Sequence, residues 1–235
     1  MAEPSVLAII PARGGSKRLP NKNLLRLAGK PLVTWTIEAA LESGVCTEVI
    51  VTSDSRDVLD LAQASGTKTR ERPPELATDT SPTVDAVIDA IDHLEHLGLR
   101  YDVALLLQPT SPLRTAADIA GAYAQYRTQP ASNLVSVCAI DHPIEWTGKI
   151  DSRGRLLELD IQPGRRSQDY PPRYRLNGAI YLAPITPLRA ARTFIGPDVR
   201  AFVMPRLRSF DIDTAADFAV CEALLARSER PLGAG

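Results

Sequence analysis

Short, nearly continuous apolar runs alternate with stretches of helical periodicity, and this alternation constrains the 235-residue chain more than any other feature. The runs are Val6–Ile10, Glu48–Thr52, Asp102–Leu107 and Leu134–Ile140. A strand that is apolar throughout must be covered on both faces, which is the situation in parallel sheets. Between the runs, Pro31–Glu42 and Ser55–Ala64 read as helices, the first closed by Gly44 at a C-cap position. Pro82 opens a third, in which Val84, Val87, Ile88, Ile91 and Leu94 recur at helical spacing. Thr115, with Asp118 three residues on, predicts a capping box for a fourth. The expected fold is α/β: a mostly parallel, Rossmann-like sheet with helices on both faces.

Residues 141–175 break the alternation. They are polar and arginine-rich, with turn signals at Ser152-Arg153-Gly154 and Pro163-Gly164, and they predict a small extended lobe inserted into the sheet domain. The pattern then resumes with strands at Gly178–Leu182 and Ala201–Met204. A last helix, Thr214–Ala226, is capped by Thr214 and Asp217 and buries Phe218, Cys221 and Leu225. The division is thus an α/β domain of residues 1–140 and 176–235 with an inserted arm of 141–175. The stretch from Arg70 to Thr83 reads as irregular.

Composition narrows the function classes. With 27 basic against 28 acidic residues and a net charge of -1, no broad electrostatic footprint for nucleic acid exists. No apolar run approaches the ~18 residues a membrane span needs. Three widely spaced cysteines suit neither a disulfide framework nor a zinc motif, and no basic leader precedes the first apolar run, so a cytoplasmic setting is expected. Lysine is scarce (Lys17, Lys22, Lys30, Lys68 and Lys149), yet two of these fall within six residues of each other.

That lysine pair marks the first chemical candidate. The loop Pro11-Ala-Arg13-Gly14-Gly15-Ser16-Lys17-Arg18-Leu-Pro20-Asn-Lys22-Asn23 follows the first strand, at the edge where open α/β sheets bind ligands. Adjacent glycines permit close approach of backbone N–H groups to an anion, and four cationic side chains surround them. The spacing is neither a P-loop nor a dinucleotide fingerprint. The second candidate is Phe210-Asp211-Ile-Asp213-Thr214. Alternation in an extended segment puts both carboxylates on one face, suited to a hard divalent cation; capping of the next helix also accounts for Asp213 or Thr214. Gln108 and Thr110, in Leu107-Gln-Pro-Thr-Ser-Pro-Leu-Arg114, offer directional hydrogen bonds at another strand end, and Arg114 reads as a phosphate contact or a buried structural pair. Arg72 stands beside a hydroxyl-rich segment, Thr78–Thr83, that precedes a helix. In the arm, Arg165, Arg166, Arg173 and Arg175 fit either an acidic substrate or a solvated or subunit-contacting surface.

Taken in order, Ile9-Ile-Pro-Ala-Arg-Gly-Gly-Ser-Lys17 with Lys22-Asn23, Arg72-Pro73, Gln108–Arg114, Arg175-Leu-Asn-Gly-Ala-Ile-Tyr181 and Asp211-Ile-Asp213 resemble the acylneuraminate (nonulosonate) cytidylyltransferases over residues 5 to 225. The resemblance implies a nucleotide-diphospho-sugar transferase-like fold, a homodimer and a dimerisation arm that crosses to the partner's site. It also implies Mg²⁺-dependent transfer of CMP from CTP to the anomeric hydroxyl of a nine-carbon 2-keto sugar acid. By it, Arg13, Ser16 and Lys17 hold the triphosphate, within the loop of Gly14 and Gly15, and Lys22 holds the α-phosphate. Asn23, Arg72, Thr83 and Thr110 bind cytidine and ribose, with Gln108 between nucleotide and sugar. Asp211 and Asp213 bind Mg²⁺, and Arg165 or Arg166, Asn177 and Tyr181 face the keto acid. The arm reads Ser167-Gln168-Asp169-Tyr170-Pro171 where many members of the family read Arg-Gln-Asp-Leu-Pro, so N-acetylneuraminate, legionaminate, pseudaminate and other ulosonates all stand open. A nucleotidyltransferase acting on a sugar phosphate and a non-catalytic nucleotide-binding homologue are the competing readings.

Overall fold

The computed structural model describes residues 3–130 and 132–228. The outer ends of the α/β domain, residues 1–2 (on which the expected lack of a leader rests) and 229–235, lie outside them.

In chain order the elements are β1 (Val6–Pro11), β2 (Arg26–Leu27), β3 (Lys30–Pro31), α1 (Leu32–Glu42), β4 (Glu48–Ser53), α2 (Arg56–Ala64), β5 (Lys68–Glu71) and α3 (Thr83–His96). There follow β6 (Val103–Leu106), α4 (Ala116–Arg127), β7 (Leu134–Ala139), β8 (Lys149–Ile150), β9 (Leu156–Leu157), β10 (Tyr174–Pro184), α5 (Ile185–Ala191), β11 (Arg200–Val203) and α6 (Ala215–Ser228). Seven strands form the main sheet in the order β11-β7-β10-β6-β1-β4-β5. All neighbours are parallel except β10, which runs antiparallel to both β6 and β7.

The apolar runs are apolar throughout because the pleat sends successive side chains into two different cores. From β1, Val6, Ala8 and Ile10 pack with Ile37 of α1, Val58 of α2 and Tyr126 of α4. Leu7 and Ile9 point the other way, to Val87 and Ile91 of α3 and Leu188 of α5. The side chains of Val6 to Ile10 in β1 are all fully buried, and each large one contributes about 2 kcal/mol by leaving water. The Thr115–Asp118 capping box forms as predicted. At α6, the Thr214 N–H donates to Asp217 at 2.7 Å and the Asp217 N–H donates to the Thr214 hydroxyl at 3.3 Å.

Three elements differ from expectation. β5 forms at the sheet edge beside β4, where half-buried residues carry no apolar run to announce it. α5 has only seven residues, too few for a periodic signal, with Ile185 and Leu188 buried three apart. β10 begins at Tyr174, not Gly178: its first half is exposed, and the register breaks between Leu176 and Tyr181. Tyr174 and Arg175 therefore belong to the strand.

The arm carries the small β8–β9 hairpin, turned at Gly154 with φ +75°. It leaves the end of β7 and returns as the antiparallel neighbour β10. The chain therefore departs from and re-enters the sheet at the edge where β1 and β6, parallel to each other, also end. The loops after β1 and β6 face that edge. Because the chain runs outward from β1 through β4 to β5 and only then to β6 on the other side, a crevice opens between β1 and β6.

Candidate active site

A cleft of about 580 Å³ fills that crevice. The loop after β1 supplies Arg13, Ser16, Lys17, Arg18, Lys22 and Asn23; the end of β5 supplies Arg72. Thr83 at the start of α3, Gln108 and Thr110 after β6, and Asp211 and Asp213 before α6 complete its walls. Five separate stretches of sequence thus converge on one space, the two lysines and the two aspartates among them.

The loop is braced from below. Ala12 N–H donates to Thr52 O at 2.9 Å and the Ser53 hydroxyl to Ala12 O at 2.6 Å. Asn23 Nδ2 donates to Arg13 O at 2.8 Å, closing the loop on itself. That bond fixes the amide's orientation, and the other end, Asn23 Oδ1, is buried at the cleft without a donor. Asn21 adopts a left-handed conformation, φ 53°, which asparagine tolerates, and turns the chain into the short 3-10 segment that holds Lys22 and Asn23.

Gly14 N–H donates to Asp54 Oδ1 at 2.8 Å, and neither glycine lines the cleft. A Cβ on Gly14 would meet Ser55 Cβ at 3.0 Å, so glycine here lets the loop sit against the start of α2. The cationic lining of the cleft is supplied by side chains.

Those cations are held by carboxylates. Asp79 accepts from Arg13 at 2.8 Å and from Lys17 at 2.5 Å, which holds its carboxyl below the usual range. Asp213 accepts from Arg18 at 2.9 Å and from Lys22 at 3.3 Å. Lys22 also donates to Ile212 O at 2.5 Å, and its side chain is only 11% exposed. The sequence reading missed Asp79: the Thr78–Thr83 segment stood out for its hydroxyls, and the acid among them is the feature that matters.

Ile212 is fully buried, so Asp211 and Asp213 both turn to the cleft, as alternation predicts. Asp211 is open to the cleft, yet its carboxyl is raised, first by desolvation and then by Asp213 and Asp217; Thr110 and Lys22 act the other way. Burial lowers Arg72, which donates to Thr52 O at 2.8 Å.

Asn177, Tyr181, Arg165, Arg166 and Arg114 do not line this cleft. Asn177 is 2% exposed and engaged by Ser136, Ala179 and Ser209, so it faces the interior. Tyr181 packs edge-on against Phe194 at 5.7 Å, with Asp211 near enough to raise its phenol after burial has done so. Arg165 stacks over Tyr170 at 4.2 Å and Arg166 pairs with Asp169 at 3.4 Å; both stay in the arm, off the cleft of their own chain. Arg114 is structural: fully enclosed, it donates to Gln108 O and Ala179 O, and desolvation lowers it to about 10.

Among the described residues, no cluster of three or more His, Cys, Asp or Glu side chains could hold a metal. Two facing carboxylates are nevertheless what Mg²⁺ uses when substrate phosphates and waters complete its octahedron, so Asp211 and Asp213 fit that ion.

A cytidylyltransferase family model matches residues 7–147. The chain is 38% identical over 230 residues to CMP-N,N'-diacetyllegionaminic acid synthase of Legionella pneumophila, covering 97% of this chain and 99% of that protein. It is 35% identical over 226 residues to N-acylneuraminate cytidylyltransferase of Escherichia coli, covering 96% of this chain but 53% of that longer protein. Pseudaminic acid cytidylyltransferase of Campylobacter jejuni is 31% identical over 220 residues, covering 93% and 95%. Among solved structures, a CMP:2-keto-3-deoxy-manno-octonic acid synthetase complexed with CTP shares the fold, with a TM-score of 0.71 at 22% identity, covering 95% of this chain and 99% of that one.

Proposed function

The chain belongs to the cytidylyltransferase family, and from that premise we propose that it transfers CMP from CTP to the anomeric hydroxyl of a nonulosonic acid, releasing pyrophosphate. The observation that carries this reading is the convergence of Arg13, Lys17, Arg18 and Lys22 with Asp211 and Asp213 in one cleft at the switch point of the sheet. Three relatives that differ in their named sugars support the class of acceptor without selecting one.

In this reading Arg13 and Lys17 exchange Asp79 for β- and γ-phosphate oxygens. Asn23 Oδ1 accepts from the cytosine amino group or a ribose hydroxyl, which removes its buried deficit. Lys22, anchored on Ile212 O, keeps a donor for an α-phosphate oxygen. As the anomeric oxygen bonds to the α-phosphorus and the bridge to the β-phosphate breaks, negative charge grows on oxygens that these cations already face, and positioned charge is the main catalytic resource in phosphoryl chemistry. A Mg²⁺ held by Asp211 and Asp213 would add neutralisation of the phosphate charge.

The reading extends to a homodimer. Ile150 is 73% and Leu156 53% exposed on the arm, and Leu176 lies open on the adjoining strand, a surface that association would cover. Arg165 and Arg166 then reach the partner's cleft, where guanidinium groups suit a carboxylate. Among the described residues no helix is long and apolar enough to cross a membrane.

The test is pyrophosphate release with each NTP against a panel of nine-carbon 2-keto acids and sugar 1-phosphates, with and without Mg²⁺. CTP with one nonulosonic acid is expected to give turnover. Release with a sugar 1-phosphate and with no keto acid would reverse the assignment.

A further inference from the structure

The buried carboxamide of Asn177 lies where β10 changes register, and its two shortest bonds tie that point to other parts of the molecule. Its Oδ1 accepts from the Ser136 hydroxyl of β7 at 2.6 Å and from Ala179 N–H at 3.2 Å. Its Nδ2 donates to the Ser209 hydroxyl at 2.9 Å and lies 3.4 Å from Met204 Sδ. Ser136 in turn accepts from Ile180 N–H at 2.8 Å, and Ser209 donates to Pro205 O at 2.9 Å. The bulge is thus locked to β7 on one side and to the segment leading to Asp211 on the other.

That segment has two anchors. Ser209 is held by Asn177, and three residues later Ile212 N–H donates to Thr110 O at 2.8 Å. Asp211 stands between them. The residue after Asn177 sets a second cleft group: Gly178 has φ +76°, and a Cβ there would lie 2.8 Å from Gln108 Oε1. Gln108 therefore rests directly on the backbone of the bulge, in the space a side chain would need.

We propose that Asn177 is a positioning residue that registers the Asp211–Asp213 segment and Gln108 to one another, rather than a group that touches the sugar acid. A carboxamide can do this because it donates at one end and accepts at the other, so it bridges two serine hydroxyls of opposite role in a buried site. The acidic pair arrives on an extended segment with little regular structure of its own, so its placement depends on such anchors. Partners that orient metal-binding groups typically matter about ten- to hundredfold in metal affinity or activity.

The inference rests on the assignment of Asp211 and Asp213 to Mg²⁺, and calorimetry with CTP alone, without keto acid, separates the two ideas. Each protein is titrated with CTP in Mg²⁺ and again in EDTA. Wild type is expected to bind more tightly with Mg²⁺; equal affinity in both buffers would overturn the metal assignment itself. Given that difference, Asn177→Ala and Ser209→Ala are expected to lose about tenfold of the Mg²⁺-dependent gain while keeping EDTA affinity within about twofold. Ser209→Ala leaves the Asn177–Ser136 lock in place and covers the case in which Asn177→Ala does not fold. A general loosening would lower both affinities together and would overturn the proposal. So would an unchanged Mg²⁺-dependent gain accompanied by a selective rise in KM for the keto acid, the behaviour of a sugar contact.

Discussion

The Lys22 ammonium lies 2.5 Å from Ile212 O and 3.3 Å from Asp213 Oδ1, joining the loop after β1 to the segment before α6 across 191 residues of sequence. The side chain is largely buried, so its reach is fixed before any substrate arrives. Lys22→Ala should leave the core intact and lower kcat by about a hundredfold, the scale on which a preorganised donor to a developing phosphate charge acts. Steady-state kinetics with CTP, beside a thermal melt, checks this; a kcat near wild type removes Lys22 from the reaction.

Asp79 occupies two of the cleft's cations, accepting from Arg13 and Lys17 together. Its pairs are exposed, so each is weak. Asp79→Asn should therefore lower KM for CTP by only about two- to fivefold, and the gain should shrink at high salt. A higher KM would mean that Asp79 holds the loop in its productive shape.

A crossed dimer has a distinctive complementation behaviour. Lys22→Ala disables the cleft, and the Arg165→Ala, Arg166→Ala double variant disables the arm. After mixing and subunit exchange, half the dimers are mixed, and each of those has one intact site. Turnover should recover to about a quarter of wild type, the arithmetic of a two-site dimer. If each arm serves its own cleft, mixing restores nothing.

Asp118 predicts an acid-sensitive α4. It is 4% exposed, accepts two 2.8 Å bonds from Arg208 and completes the capping box with Thr115. Desolvation raises its carboxyl, but the bonds from Arg208 and Thr115 together outweigh this and hold it below its ordinary value of 3.8. A carboxyl depressed in the folded state stabilises at pH above its unfolded value, and that contribution is lost as pH falls through the folded one. Asp118→Ala should cost about 2 kcal/mol at neutral pH. In chemical denaturation the gap between the variant and wild type should close as pH falls below the ordinary carboxyl value of 3.8 and through the lower folded one; a gap independent of pH would assign the effect to packing.

The limits of sequence reading here have physical causes. The buried strands and capped helices were legible because each is specified by neighbours within a few residues: an apolar run, a proline, or Thr115 with Asp118. β5 and α5 were not, since an edge strand and a two-turn helix take their stability from what they pack on. At the site, charge type and the alternation around Ile212 indicated which groups belong together. The sequence could not show that Gly14 spends its N–H on Asp54, or that Asn177 faces inward.

By itself, then, the sequence determined the α/β class, the crevice edge and the cationic and acidic partners, because pattern and residue chemistry are local properties. Tertiary structure alone decided the directions of Asn177, Arg114 and the arm arginines, and the pairing of Asp79 with Arg13 and Lys17. Each of those depends on which distant backbone arrives within 3 Å, and only the packed sheet settles that.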